Sequence, residues 1–152
     1  MDIKRITEVG IAVPELDSAC ELFEHLLGAT VSEEQVVELY QMRYKMCRVG
    51  RVDFEVMAPL GESGVIAEFL ERRGPGLHHI AFAVDDLAMG MQTMQAKGVS
   101  FVDELPVALR LSGMDFAGRS FDGETKIAFS HPKSILGILF EFIEYPDGYR
   151  VD

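Results

Sequence analysis

The sequence contains little cysteine, no long hydrophobic run and few cations. Its two cysteines, Cys20 and Cys47, are too few and too far apart for a disulfide framework or a CxxC pair. We therefore expect reduced thiols and a cytoplasmic protein. No stretch has the length of a membrane-spanning helix, and the start MDIKRITEVG lacks the apolar core of a signal peptide. Neither a transmembrane segment nor a secretory leader is expected.

Cations are outnumbered, with Lys+Arg 14 against Asp+Glu 25 and a formal net charge of -11. A nucleic-acid-binding protein needs cations to neutralise phosphates, and so does a protein that docks on an anionic membrane. We therefore expect no nucleic-acid or membrane partner, whereas a small anionic ligand on a local basic patch stays possible. The length of 152 residues predicts a single domain, 1–152, large enough to bury a core of its own.

An internal repeat divides the chain into two halves. EVGIAVPEL at 8–16 resembles HIAFAVDDL at 79–87, and VDFEV at 52–56 resembles ILFEF at 138–142. Each first segment is followed by apolar residues at helical spacing, which predicts a strand, an acidic turn and a helix. The repeated segments are farther apart in the second half. The extra residues are placed at 104–123, which has glycines and no clear period and is interpreted as a long loop.

The repeat predicts an α+β fold made of two βαβββ modules, at about 1–74 and 75–152. Their strands should pair into one curved, mixed sheet that forms a cup with the helices on the outside. A further helix is expected near 62–73, before the Gly-Pro-Gly break. The expected strands are 5–13, 31–40, 43–49, 52–58, 78–84, 99–104, 124–130 and 137–144.

Strand alternation places four polar residues on the sheet face away from the helices. These are Glu8, Glu55, His79 and Glu141, which the repeat relates as two pairs. Their neighbours on that face are small, so a ligand would have room. Carboxylates and imidazole are ligand types for divalent metals, and a cation would relieve the repulsion among three carboxylates. The alternative is that this face is simply solvated.

Two segments could supply cations to an anionic ligand. RYKMCRVGR at 43–51 carries Arg43, Lys45, Arg48 and Arg51, and HPKS at 131–134 carries Lys133. A solvated edge strand explains the first run equally well, because charge also protects sheet edges. The sequence does not choose between these interpretations.

The segments RITEVGIAVPEL, VDFEVMAPL, RRGPGLHHIAFAVDDL, KIAFSHPKS and GILFEFIEYP together resemble the methylmalonyl-CoA epimerases. These belong to the vicinal oxygen chelate (glyoxalase/bleomycin resistance/dioxygenase) superfamily. The resemblance covers nearly the whole chain except 104–123. It implies an isomerase that epimerises a 2-substituted malonyl-CoA such as methylmalonyl-CoA, through proton removal from C2 and return of the proton.

The resemblance also implies one divalent metal ion, which would be cobalt, manganese, zinc or magnesium. His79 and Glu141 match the family's metal ligands, and Glu55 stands where the family has Gln or Glu. Glu38 matches the family's proposed acid/base glutamate, and Glu141 is expected to be its partner in catalysis. A homodimer is a further possibility, since dimers are common in the superfamily.

One ligand position departs from the family, because Glu8 stands where the family has histidine. The change adds a negative charge and shifts the metal preference toward harder cations. The loop at 104–123 is also longer than in the epimerases, and such loops often border a pocket. Two alternatives therefore stay open. One is a glyoxalase-type lyase acting on a glutathione hemithioacetal, and the other is a metal-free protein of this fold that binds a small molecule.

Overall fold

The computed structural model of the chain describes residues 1–114, 120–147 and 149. Two compact units make up the chain. One comprises Glu8–His78, and the other comprises Met1–Thr7 together with His79–Asp152. The first strand and the sixth each pass from one unit to the other. Among the described residues, none of the helices has the length and apolar character needed to cross a membrane.

The unit Glu8–His78 has a mixed sheet in the strand order β2-β4-β5-β1, with β3 paired to β4. Strands β1 and β5 run parallel, whereas β4 and β5 form a long antiparallel pair. The elements are β1 (Ile3–Ala12, which begins in the other unit), α1 (Leu16–Leu27), β2 (Thr30–Val31), β3 (Gln35–Val37), β4 (Met42–Val49), β5 (Val52–Pro59) and α2 (Val65–Arg73).

Helix α1 packs its apolar stripe on one face of this sheet. Leu16 and Cys20 are buried against Cys47 of β4 and Val56 of β5. The helix ends at Gly28, whose φ of 64° suits a residue without a Cβ atom. A second buried cluster forms around α2, where Ile66 meets Ala12, Met42 and Met57. The two helices thus anchor the two strands, β1 and β5, that carry the acidic residues of interest.

The other unit has the strand order β6-β9-β8-β7. Strands β6 and β9 run parallel, and the remaining pairs are antiparallel. Helix α3 begins after Asp86, whose side chain accepts a hydrogen bond from the Met89 backbone N–H at 3.2 Å. The elements are β6 (Gly76–Val84), α3 (Leu87–Ala96), β7 (Val107–Met114), β8 (Ser120–Phe129) and β9 (Phe140–Glu144).

These elements confirm the predicted α+β class with a mixed sheet and helices packed on it, but one strand of the second half was misplaced. The segment 99–104 is not a strand: Phe101 makes only an isolated bridge to Ser130. The strand is β7, inside the segment interpreted as a loop. In β7, Val107 and Leu109 are half-buried while Arg110 is exposed. This alternation is typical of an edge strand, and the glycines nearby obscured it. Residues 115–119 of the predicted loop lie outside the described residues.

The prediction of a continuous strand over 31–40 was also wrong. Two short strands occupy this stretch, and Glu38–Tyr40 form a single 3-10 turn. Gln41 ends the turn in a left-handed conformation with φ 52°, and its side-chain amide donates to the Glu38 carbonyl at 2.8 Å. Its carbonyl accepts from the Leu60 N–H at 3.0 Å. These hydrogen bonds take the place of the backbone hydrogen bonds that a continuous strand would make to its neighbour.

Candidate functional site

In the unit that contains β6 and β9, His79 and Glu141 form a buried pair. His79 Nε2 lies 3.0 Å from Glu141 Oε2, and the two residues are 4% and 7% exposed. The parallel register pairs Ala81 with Glu141, so Glu141 shares a sheet face with His79, two residues before Ala81. Burying a carboxylate is costly unless a cation or a hydrogen-bond donor accompanies it. The pair is therefore a specific arrangement and not a solvated surface.

An aromatic ring packs beside this pair. Phe129 of β8 is the register partner of Glu141, and its ring meets the His79 ring edge-on with centroids 6.1 Å apart. The next residues along β6 on the same face are Ala81 and Ala83, both buried. Phe129 was not among the predicted site residues. Its place opposite Glu141 depends on the pairing register of β8 and β9, which only the structure shows.

The unit that contains β1 and β5 also places two predicted ligands on one face. Glu55 of β5 is 8% exposed and is the register partner of Gly10. Glu8 lies two residues before Gly10 on β1 and therefore shares that face, where it is half-buried. Two neighbouring carboxylates repel each other unless a proton or a cation is shared. Both strands alternate as predicted, and on this same face Ala12 and Met57 pack on Ile66 of α2.

The donor set fits a divalent cation. Glu8, His79 and Glu141 each offer one ligand atom of a type that binds metals. Metal bonds to nitrogen and oxygen are about 2.0–2.2 Å long, so two adjacent ligand atoms of one ion lie about 3 Å apart. The separation of 3.0 Å between His79 Nε2 and Glu141 Oε2 meets this requirement. Carboxylate and imidazole ligands bind hard or borderline cations rather than soft ones.

Glu38, the predicted acid/base residue, is exposed on the 3-10 turn that follows β3. The predicted strand would have oriented its side chain by alternation, but a turn residue is oriented by the hydrogen bonds of the turn instead. An exposed position allows proton exchange with solvent, which an acid/base group requires during turnover.

The basic run 43–51 is largely neutralised by nearby carboxylates. Lys45 Nζ lies 2.7 Å from Asp17, and Arg48 Nε donates to Asp53 at 2.6 Å. Arg43 lies 3.4 Å from the carboxylate of Glu34. The hydrogen bond from Lys45 lowers the pKa of the Asp17 carboxyl, so this pair stays ionised over a wide pH range. Three of the four cations of this run, Arg43, Lys45 and Arg48, are thus held in ion pairs.

The HPKS segment forms a compact turn between β8 and β9. The His131 Nδ1 atom accepts from the Lys133 backbone N–H at 3.2 Å, and Ser134 Oγ donates to the His131 carbonyl at 2.8 Å. These bonds hold 132–134 in a 3-10 turn and leave the Lys133 side chain exposed.

Comparison with known proteins places this geometry in a family. The model of the glyoxalase/bleomycin resistance protein/dioxygenase superfamily matches residues 7–117. The human mitochondrial methylmalonyl-CoA epimerase is 28% identical over 92% of this chain and 73% of its own length. The crystal structure of methylmalonyl-CoA epimerase from Mycobacterium tuberculosis is 32% identical, with a TM-score of 0.77 over 95% of this chain and 89% of that one.

A ligand-bound structure is also similar. It is a variant of the Streptomyces coelicolor methylmalonyl-CoA epimerase in complex with 2-nitronate-propionyl-CoA. It is 26% identical, with a TM-score of 0.77 over 95% of this chain and 99% of that one. The chain therefore belongs to the glyoxalase/bleomycin resistance protein/dioxygenase superfamily, and within it resembles the methylmalonyl-CoA epimerases, which are isomerases.

Proposed function

We propose that this protein epimerises methylmalonyl-CoA or a closely similar 2-substituted malonyl-CoA. The observation that carries the proposal is the buried His79–Glu141 pair, in a chain whose relatives are named methylmalonyl-CoA epimerases. One of those relatives binds an acyl-CoA analogue, which supports a CoA thioester as the ligand. The proton at C2 of such a substrate is acidic because it lies between a thioester carbonyl and a carboxylate.

We propose that Glu8, Glu55, His79 and Glu141 hold one divalent ion, each half of the repeat supplying two ligands. Support comes from the donor types and from the 3.0 Å spacing of His79 and Glu141. When bound, such an ion polarises a carbonyl oxygen and stabilises negative charge as it develops there. With Glu8 in place of histidine, three ionised carboxylates and a divalent ion would leave the site with a charge of about -1.

Glu141 and Glu38 are the proposed acid/base pair. Epimerisation breaks the C2–H bond, passes its electron pair into the enolate, and returns a proton to C2 from the other side. Two groups are needed, because one carboxylate cannot reach both sides of the same carbon. Glu141 has two oxygens, so one can face His79 while the other accepts or returns the proton. Glu38 is exposed and can exchange its proton with solvent.

The decisive experiment is incorporation of deuterium at C2 of methylmalonyl-CoA in D2O. Wild-type protein is expected to exchange the proton. Glu141→Gln keeps the size of the side chain but removes the basic oxygen, so the rate is expected to fall about 10²- to 10⁴-fold. Glu21→Gln, the same change at an exposed position of α1, is the matched control and should keep the wild-type rate. A wild-type rate in Glu141→Gln would remove Glu141 from the mechanism.

Metal analysis tests the ligand assignment separately. Purified protein is expected to contain a divalent ion or to take one up on titration. No bound metal and no uptake would contradict the proposed metal site and favour a metal-free binding protein of this fold. If metal binds without exchange at C2, a lyase acting on a glutathione hemithioacetal becomes the better interpretation, and formation of the hydroxyacyl thioester would reveal it.

A further inference from the structure

The turn that carries Glu38 closes the hairpin between β3 and β4. Val37 and Met42 are register partners, so residues 38–41 form the connecting loop. The last of these residues, Gln41, has a left-handed backbone with φ 52°. Short hairpin loops often contain such a residue, but glycine and asparagine adopt the conformation far more readily than glutamine. Local strain of this kind persists only where the surrounding contacts hold it.

The Gln41 side chain makes one of these contacts, and it makes it to Glu38. The Glu38 carbonyl accepts two hydrogen bonds from Gln41, one from the backbone N–H at 3.0 Å and one from the side-chain amide at 2.8 Å. A glycine would suit the left-handed conformation better but could make only the first of these bonds. Glutamine at this position therefore adds a second donor to the Glu38 carbonyl.

The backbone of Glu38 is thus held on both sides. On one side, Val37 is paired with Met42 in the β3–β4 ladder, and on the other side the Glu38 carbonyl is bound by Gln41. Because peptide groups are planar, the two groups that flank a Cα atom set the direction of its Cα–Cβ bond. The Glu38 side chain is exposed, so its direction depends on this backbone more than on packing.

The segment that leads into α2 holds the loop in its turn. The Leu60 N–H donates to the Gln41 carbonyl at 3.0 Å. At Gly64, where α2 begins, a Cβ atom would lie 2.7 Å from Gln41 Cβ and 2.8 Å from the Tyr40 carbonyl oxygen, which is too close for either contact. Gly64 therefore allows the start of α2 to lie directly against the loop, and the fully buried Ile66 anchors α2.

We propose that Gln41 is a positioning residue that fixes the loop and so holds the Glu38 carboxyl group in place for proton transfer at C2 of the substrate, with Gly64 seating the loop against α2. The proposal rests on the proposed function, which gives Glu38 its acid/base role. A general acid or base must lie within hydrogen-bond reach of the proton, and a small displacement slows the reaction step strongly. Gln41 therefore acts on kcat and leaves KM unchanged.

Two substitutions of Gln41 separate positioning from stability. Gln41→Gly removes the side-chain donor but suits the left-handed backbone, so kcat for C2 exchange should fall about tenfold while KM is unchanged and Tm stays the same or rises. Gln41→Met keeps the length of the side chain without a donor and should lower kcat about as much. Gln92→Met, the same change at an exposed position of α3, is the matched control and should keep the wild-type kcat. A lower Tm with an unchanged kcat would show that Gln41 is only structural and overturn the proposal.

A double-variant cycle measures whether Gln41 acts through Glu38. Glu38→Gln by itself should slow C2 exchange, because it removes the proposed acid/base group. In that background Gln41→Met should cause no further fall in kcat, since there is no longer a carboxyl group to position. A further tenfold fall would mean that the two residues act independently, and it would overturn the proposal.

Gly64 is tested against another glycine of the same helix. Gly64→Ala places a Cβ atom against the loop and should lower kcat about tenfold. Gly74→Ala is the matched control, because Gly74 also has a positive φ, at the other end of α2, but a Cβ atom there meets nothing within 4 Å. It should keep the wild-type kcat. Equal rates in the two variants would overturn the role of Gly64.

Amide hydrogen exchange of the loop gives a readout that does not need catalysis. In Gln41→Met the backbone N–H groups of residue 41 and Leu60 should exchange about tenfold faster than in wild-type protein, because the loop opens more often. If these amides respond but wild-type protein does not exchange the C2 proton, the proposed function fails and the loop-fixing role of Gln41 stands. If wild-type protein exchanges the C2 proton and Glu38→Gln slows it, but the Gln41 variants keep both kcat and the amide exchange rates, the proposed function stands and the positioning role of Gln41 is wrong.

Discussion

Glu144, the last residue of β9, is expected to be a main stabilising contact of its unit. Its Oε2 atom accepts a hydrogen bond from the Leu87 backbone N–H at 2.7 Å, at the first residue of α3, and its Oε1 atom lies 2.7 Å from Lys126 Nζ. One carboxylate thus joins β9, β8 and the start of α3. Glu144→Gln keeps the shape and one acceptor but removes the charge.

The cost of this substitution follows from the two contacts. A hydrogen bond to a charged group contributes about 1.5–3 kcal/mol, of which the neutral amide keeps roughly 0.5–1.5 kcal/mol. The loss of the partly exposed ion pair with Lys126 adds about 0.2–1 kcal/mol. We therefore expect the free energy of unfolding to fall by about 1–2 kcal/mol. For a chain of this length, that loss lowers Tm by about 2–8 °C.

The stabilisation by Glu144 should also depend on pH. Burial by itself would raise the pKa of the Glu144 carboxyl, but the hydrogen bonds from Lys126 and from the Leu87 N–H outweigh burial and lower the pKa below its usual value. A lowered pKa in the folded state means that the stabilisation is complete above the unfolded-state pKa of about 4.3. It is then lost as the pH falls through the folded-state value.

Urea unfolding of wild-type and Glu144→Gln protein at pH 7 and at acidic pH measures both effects. The difference in unfolding free energy should be largest at pH 7 and shrink below about pH 4.3. Lys126→Gln and the double variant complete a cycle that isolates the ion pair. A difference within about 0.5 kcal/mol at pH 7, or one that grows on acidification, would contradict the stabilising role of the ionised Glu144 carboxylate.

Three further predictions concern other parts of the chain. Ile66→Ala should lower the unfolding free energy by about 2–5 kcal/mol in urea titrations, because the Ile66 side chain of α2 is fully buried against the sheet; a loss below about 1 kcal/mol would mean that the cluster relaxes around the cavity. Burial raises the pKa of the Cys47 thiol to about 12. Iodoacetamide at pH 8 should therefore modify Cys47 about a thousandfold more slowly in the native protein than in the unfolded chain, as followed by mass spectrometry. Equal rates would contradict the burial of Cys47. Glu8→His should raise the affinity for Zn²⁺ relative to Mg²⁺ about tenfold in calorimetric titrations, because imidazole suits zinc better than a carboxylate does; unchanged affinities would indicate that Glu8 is not a ligand.

Much of the fold could be predicted because it depends on local patterns. The alternation in EVGIAV and HIAFAV assigned β1 and β6, and the helical spacing after each assigned α1 and α3. The errors lie where a strand depends on its partner. β7 is held by its pairing with β8, and Glu38 lies in a turn fixed by bonds to Gln41, so neither followed from neighbouring residues alone.

The repeat, the alternating faces and the types of side chain that each strand presents all follow from the amino-acid sequence alone. Those features have periods of two or 3.6 residues and need only local geometry. Which charges are neutralised and which side chains are buried depends on the folded chain. It paired Arg48 with Asp53 and buried His79 against Glu141. Contacts between residues distant in the chain depend on register and turn geometry, which no local period encodes.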